Sequence, residues 1–185
     1  MKPILARALC RRKKLCKIDR TFSAILIVQV GENNEKLKCI EEGWLKDCRQ
    51  IPSEYFDERP DPKDISLLVI HYISLPPEQF GGGYIDDFFQ GKLDPCLHPY
   101  FKEIYQMSVS AHCLIDRCGV ITQYVNFNDR AWHAGISSFE DRERCNDFPL
   151  VLNLKVAMNC LLPMRNMKHC NNLQRALCLL IRTLR

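Results

Sequence analysis

The chain has 185 residues, of which 46% are hydrophobic and 26% charged, values typical of one soluble globular domain with its own core. The formal net charge is only +4, and the basic excess lies at the two ends, so the middle lacks the basic stripe of a nucleic-acid-binding protein. We therefore expect no nucleic-acid partner. We also expect no membrane partner, because the apolar run of residues 21–30 is too short to span a bilayer.

The predicted elements alternate in type along the chain. Residues 66–75, SLLVIHYISL, form an apolar and β-branched run that is typical of a strand buried on both faces. Residues 81–95 contain a glycine-rich loop that leads into a short helix, and residues 98–107 are expected to be helical or irregular. Residues 109–128 predict two strands around a turn at 116–119. This order indicates a mixed α/β or α+β domain.

The eleven cysteines are scattered along the chain, contain no C-x-x-C pair and are odd in number. Their spacing therefore supports neither a disulfide framework nor a zinc ribbon. Reduced, unpaired thiols are typical of a reducing compartment, so we expect a cytoplasmic protein.

The five histidines are the first candidates for chemistry. His71 lies near the C-terminal end of the predicted strand, where a neutral imidazole could ligate a metal ion or could be a core histidine bonded to a carbonyl group. His112 lies on a predicted strand and His133 in a tryptophan-containing loop, and either could shape a polar cleft. His98 is expected on a surface loop, and His169 tells little.

Seven runs of residues carry a resemblance to a known family. The runs are EEGWLKDCRQIPSEYFDERPD, ISLLVIHYISLPPEQFGGGYIDDFFQGKLDP, HPYF, VSAHCLI, QYV, RAWHAGIS and RERCNDF. In this order they closely resemble the AmpD-type amidases, which are zinc-dependent 1,6-anhydro-N-acetylmuramoyl-L-alanine amidases of peptidoglycan recycling. The resemblance spans about residues 40–148.

The resemblance implies a fold, a cofactor and a reaction. The fold is α/β, with a central mixed β-sheet flanked by helices. The cofactor is one Zn²⁺ held by two histidines and an aspartate, with water in the open position. The reaction is hydrolysis of the amide bond between the lactyl group of 1,6-anhydro-N-acetylmuramic acid and L-alanine, so the implied partner is an anhydromuropeptide substrate.

Four residues receive roles from this resemblance. His71 matches the first zinc ligand, and Trp132, His133 and Arg144 fall in motifs that line the substrate cleft. A forked guanidinium at Arg144 suits a stem-peptide carboxylate or a sugar oxygen. The residues alone equally allow a surface ion pair of Arg144 with Glu143 or Asp147.

The chain departs from the family after RERCNDF. The family continues with S-I-G-I-E-L-E-G, whose first glutamate is the catalytic acid and base, whereas this chain continues with PLVLNLKV and has Asn153 at that position. The family's second zinc histidine, catalytic lysine and zinc aspartate have no counterpart before Arg185. We therefore expect no retained catalytic residue and an inactive, poorly folded chain, with a noncatalytic muropeptide-binding module as the alternative.

The genetic code suggests a cause for this departure. When the reading frame is shifted by two bases, residues 150–156 can encode Gly-Ile-Glu-Leu-Glu-Gly, and residues 158–160 then encode Glu-Leu. We predict a frameshift near Phe148, by sequencing error or by genuine mutation, which leaves residues 40–148 as an incomplete amidase domain and residues 149–185 as an aberrant tail. Residues 1–39 have no family counterpart and are expected to reflect a wrongly chosen start. We expect a monomer.

Overall fold

The computed structural model describes residues 26–29, 40–135, 138–139 and 142–155, with 26–29 and 138–139 described by their backbone only. The strands are β1 (Leu26–Gln29), β2 (Ile40–Glu41), β3 (Trp44–Leu45), β4 (Arg49–Gln50), β5 (Phe56–Glu58), β6 (Leu67–Tyr72), β7 (Cys113–Ile115), β8 (Ile121–Gln123), β9 (Asp129–Ala131), β10 (Ser138–Phe139), β11 (Arg142–Glu143) and β12 (Pro149–Leu154). The helices are α1 (Tyr84–Phe89) and α2 (Phe101–Ile104). Within these residues, neither helix is long or apolar enough to cross a membrane.

Six strands form the central sheet in the order β1-β6-β12-β7-β8-β4. β12 runs parallel to both β6 and β7, whereas β1 pairs with β6 and β7 pairs with β8 in the antiparallel sense. Three further strand pairs, β2–β3, β5–β9 and β10–β11, form separate small sheets. The predicted mixed α/β fold with a central mixed sheet is confirmed.

The two central strands are apolar because both of their faces are covered. In β6 the residues from Leu67 to His71 are buried, and in β12 all six residues are buried. Parallel strands covered on both faces have such continuous apolar runs. The predicted strand over residues 66–75 is therefore confirmed, and it spans residues 67–72.

The helices cover one face of the sheet. α1 buries Ile85, Phe88 and Phe89, which join a core cluster that also contains Phe101 of α2 and Val151 of β12. The opposite face carries a second cluster. It contains Leu45, Leu68, Ile70, Cys113, Ile115, Phe127, Leu150, Leu152 and Leu154.

Local sequence signals fix the ends of these elements. Gly91, at φ +69°, ends α1 as predicted, and a Cβ atom there would lie 2.1 Å from the Tyr55 hydroxyl oxygen, so any other residue would be strained and would displace Tyr55. In the turn between β7 and β8, Asp116 Oδ1 accepts hydrogen bonds from the backbone N–H groups of Cys118 at 2.8 Å and Val120 at 2.9 Å. The predicted hairpin over residues 109–128 is confirmed.

Two elements lie beyond the predicted amidase segment of residues 40–148. β1 belongs to the predicted extension and pairs with β6, and β12 follows Phe148 and lies inside the sheet. The extension and the aberrant tail both stay predictions, because the pairing of a strand does not show where the family's sequence begins or ends. Most of residues 1–39, and residues 156–185 with His169, lie outside the described residues.

His112 links β12 to β9 through its imidazole ring. Its Nδ1 accepts a hydrogen bond from the Val151 N–H at 2.9 Å, and its Nε2 donates to the Asp129 carbonyl oxygen at 3.1 Å. Only 1% of the residue is exposed. Burial, together with the positive charge of Arg59, lowers the pKa of His112 from 6.5 to about 3. The ring is therefore neutral in the folded protein at neutral pH.

Acidification from about pH 6 to about pH 4 should lower the free energy of unfolding. The folded-state pKa of His112 lies below its unfolded value, so between the two values the unfolded chain binds a proton that the folded protein excludes. Stability is therefore lost as the pH falls. One such histidine gives a slope of at most about 1.4 kcal/mol per pH unit. Urea denaturation at several pH values measures this slope.

The variant His112→Asn isolates the contribution of this ring. It retains an acceptor for the Val151 N–H but does not titrate, so its slope should be shallower than that of the parent. Gln106→Asn, which changes an exposed residue that does not titrate, is the control and should keep the parent slope. Equal slopes for the parent and for His112→Asn would contradict the assignment.

Candidate functional site

Two buried histidines meet at the C-terminal end of β6. His71 lies on β6, and His133 lies two residues after β9. The His71 Nε2 and His133 Nδ1 atoms are 3.1 Å apart, and the ring planes are inclined by 60°. The exposed fractions of the two residues are 2% and 4%. The structure thus brings together two of the residues that the sequence singled out.

The hydrogen bonds of His133 fix the direction of the contact. Its Nε2 lies 2.9 Å from the Cys145 carbonyl oxygen, which can only accept, so Nε2 carries the proton. In the neutral ring the Nδ1 atom then has a lone pair and accepts a hydrogen bond from His71 Nε2–H. The result is a chain of two hydrogen bonds from His71 through His133 to Cys145.

Burial keeps both rings neutral. It lowers the pKa of His71 from 6.5 to about 3, and the neighbouring His133 adds a smaller effect in the same direction. Burial also lowers the pKa of His133 to about 4, against the opposing hydrogen bond to the Cys145 carbonyl and with a further contribution from Arg59. A neutral imidazole is the form that ligates a metal ion.

Asn153 is the neighbour of His71 across the central ladder. The two residues are paired in the parallel register of β6 and β12, so their side chains lie side by side on one face of the sheet. Asn153 is 4% exposed, and its Oδ1 atom has no hydrogen-bond partner within the described part of the chain. Such buried, unsatisfied polar atoms are rare and call for an explanation such as a functional role.

An aromatic pair adjoins the histidines along the chain. The rings of Tyr55 and Trp132 are stacked with their centroids 6.2 Å apart and their planes inclined by 25°. Ser110 holds the two segments together, because its Oγ donates to the Tyr55 carbonyl oxygen at 2.6 Å and accepts from the Trp132 N–H at 3.0 Å. Trp132 is half-buried and directly precedes His133 in the chain.

Arg144 lies on the surface, and 71% of its side chain is exposed. Its Nε atom is 3.4 Å from Asp147 Oδ2, which is one of the two ion pairs that the sequence left open. Arg144 directly precedes Cys145, whose carbonyl group binds His133. Its role in substrate binding stays a prediction.

The described residues do not form a complete zinc site. Among residues 26–29, 40–135, 138–139 and 142–155, no group of three or more histidine, cysteine, aspartate or glutamate side chains is placed to hold a metal ion. A catalytic zinc ion needs three protein ligands. His71 and His133 share one hydrogen bond, and Cys145 contributes its carbonyl group. Zinc and the ligand role of His71 therefore stay predictions.

The sequence reasoning missed Asn146 and Tyr55. Asn146 Oδ1 accepts hydrogen bonds from the backbone N–H groups of His133 at 3.2 Å and Ala134 at 3.0 Å, and its Nδ2 donates to the Ala134 carbonyl oxygen at 2.7 Å. Asn146 lies in the RERCNDF run next to Arg144. Its residue type gave no signal, because the contact joins segments 12 or more residues apart.

Comparison with known proteins identifies the family. A family model described as N-acetylmuramoyl-L-alanine amidase matches residues 61–160, which is more than half of the chain and includes β12. The 1,6-anhydro-N-acetylmuramyl-L-alanine amidase AmpD of Haemophilus influenzae is 75% identical over 120 residues, 65% of each chain. The AmpD of Citrobacter freundii is 56% identical over 116 residues, 63% of this chain and 62% of that protein.

A solved structure resembles the chain as well. The crystal structure of a Se-Met AmpD derivative matches with a TM-score of 0.61 and 56% sequence identity, over 63% of this chain and 65% of that chain. The chain therefore spans slightly less than two thirds of the length of these relatives. By its sequence and its fold, the chain belongs to the N-acetylmuramoyl-L-alanine amidase family.

Proposed function

We propose that the site around His71 and His133 is the family's site for the amidase reaction of anhydromuropeptide recycling, and that the chain as written retains this site without its catalytic glutamate. The reaction is hydrolysis of the amide bond between the lactyl group of 1,6-anhydro-N-acetylmuramic acid and L-alanine. The observation that carries the proposal is the position of His71. It matches the family's first zinc ligand, and it lies buried against His133 at the end of a central parallel strand.

The surface beside the pair suits a sugar with an attached peptide. The stacked rings of Trp132 and Tyr55 offer an apolar platform of the kind on which a sugar face packs. Arg144 offers an exposed guanidinium to a carboxylate of the stem peptide. Its ion pair with Asp147 is exposed and is worth at most about 1 kcal/mol, so a substrate carboxylate can compete for it.

Zinc is the cofactor of this proposal, and His71 is the described residue that we assign to it. Its neutral ring has the protonation state that a metal ion requires. We place the activity in the cytoplasm of the cell, because scattered cysteines without C-x-x-C spacing are typical of a reducing compartment. We retain the expectation of a monomer as part of the same proposal.

Asn153 favours a second candidate function, a noncatalytic muropeptide-binding module. The family's catalytic glutamate belongs at this position, and a carboxylate can take and return a proton whereas a neutral amide cannot. With Asn153 at this position, the site can therefore bind a muropeptide but lacks the group that would transfer the proton. We propose that the chain as written binds anhydromuropeptides and does not hydrolyse them.

The Trp132→Ala variant should bind an anhydromuropeptide, such as 1,6-anhydro-N-acetylmuramoyl tripeptide, about five- to thirtyfold more weakly than the parent. Loss of a stacking platform costs on the order of 1–2 kcal/mol, and 1.4 kcal/mol is a factor of ten in affinity. Isothermal titration calorimetry measures the change. Trp44→Ala replaces the other tryptophan of the chain, in β3, and should leave the affinity unchanged. Absence of any binding by the folded parent would contradict the proposed function.

The 185-residue chain should release no peptide from the same anhydromuropeptide when it is incubated with excess zinc. The reason is that Asn153 cannot act as general acid or base. Liquid chromatography with mass spectrometry measures the released peptide, and His71→Ala is the control for metal-dependent turnover. Turnover that the parent shows and His71→Ala lacks would overturn the prediction of inactivity while supporting the amidase site.

Resequencing of the coding DNA across residues 140–160 should show one base gained or lost near Phe148. The shifted frame can encode Glu at position 153, followed by Leu-Glu-Gly, and that agreement is the reason for the expectation. A corrected chain should then hydrolyse the anhydromuropeptide. A coding sequence that stands unchanged would exclude a sequencing error and leave a broken or repurposed amidase, for which the binding module is the candidate function.

A further inference from the structure

The segment from Arg144 to Phe148 is anchored on the body of the protein. The Arg130 guanidinium binds the side chains of both Asp57 and Asp147. The buried Arg59 donates from Nη1 to the Asp147 carbonyl oxygen at 2.8 Å. Because these anchors come from β9 and from the segment after β5, the segment has a fixed position relative to the sheet.

Asn146 uses this fixed position to hold the loop that carries His133. Its three hydrogen bonds go to the backbone N–H of His133 and to the N–H and C=O of Ala134. The chemistry of the partners sets the orientation of the amide, since two donors face Oδ1 and one acceptor faces Nδ2. All the polar atoms of the Asn146 side chain are thus used to fix the backbone at one place.

The residue before Asn146 holds the ring of the same histidine. The Cys145 carbonyl oxygen accepts the Nε2–H of His133 at 2.9 Å, and the opposite ring nitrogen faces His71 at 3.1 Å. The distance from His133 Nε2 to the Cys145 carbonyl oxygen depends on where the backbone of His133 lies. The backbone bonds of Asn146 and the carbonyl bond of Cys145 therefore act together on His133.

We propose that Asn146 is a positioning residue that holds His133 in a single tautomer, with the proton on Nε2 and the lone pair of Nδ1 toward His71. Asn146 touches neither ring, and it acts through the backbone of residues 133–134. That the histidine pair serves the amidase reaction rests on the proposed function. The positioning of the ring by Asn146 stands on the hydrogen bonds alone.

Nitrogen-15 NMR of the histidine-labelled full chain near neutral pH tests the proposal. The shifts of the two ring nitrogens and their couplings to the ring protons identify the tautomer of a neutral imidazole. The parent should show one fixed tautomer for His133, with the proton on Nε2. In Asn146→Ala the three backbone bonds are lost, so the two nitrogen shifts should move toward each other as the ring exchanges between tautomers.

Two further variants keep the test decisive. His71→Ala should retain the fixed tautomer of His133, because Cys145 and Asn146 set it without His71. Asn126→Ala removes an amide that likewise binds backbone groups, those of Glu42 and Asn128, and it should also retain the tautomer. A fixed Nε2–H tautomer in a folded Asn146→Ala variant, or its loss in His71→Ala, would overturn the proposal.

The outcome is separable from that of the proposed function. The NMR measurement needs neither substrate nor metal, so it can succeed in a chain that neither binds nor hydrolyses muropeptides. If Asn146→Ala does not fold, Asn146→Ser, whose shorter side chain cannot make the three bonds together, takes its place with the same expected mixing of tautomers. A mixture of tautomers in the parent would overturn the proposal without any variant.

Discussion

The pairing of β12 between β6 and β7 is the constraint on which the rest of the structure depends. β12 forms parallel ladders with both neighbours, and all six of its residues are buried. A strand in this position cannot turn any side chain to water, so a polar residue in it must meet whatever the next strand presents. The register brings Asn153 to His71, and the sheet itself therefore assembles the polar centre of the site.

Burial then decides the protonation of that centre. An imidazolium ion at either of these buried positions would be poorly solvated, and the pKa values of His71 and His133 fall to about 3 and about 4. The facing nitrogen atoms of the two neutral rings are 3.1 Å apart, so one of them must donate a proton and the other must accept it. The Cys145 carbonyl removes the choice of which nitrogen donates. The backbone of Cys145, 12 residues along the chain from His133, thus sets the direction of hydrogen bonding in this buried pair.

Sequence patterns predicted the parts of the fold that depend on neighbouring residues. The apolar run that forms β6, the helix ended by Gly91 and the hairpin around Asp116 all follow from local periodicity and turn chemistry. The family resemblance brought His71 and His133 to attention. Periodicity could not show that they touch, because they are 62 residues apart, and no local signal marks an asparagine such as Asn146 that binds a distant backbone.

β12 also shows that a strand and a reaction place different demands on a sequence. A central strand needs an apolar residue at nearly every position, and PLVLNL meets that need, whereas general acid and base chemistry needs one carboxylate at one position. Asn153 leaves its Oδ1 atom without a hydrogen-bond partner among the described residues. Packing alone gives no reason for a polar side chain there, since an apolar residue of similar size would avoid the cost of burying that oxygen. At this position the fold favours an apolar residue and the chemistry needs a carboxylate, and Asn153 is neither.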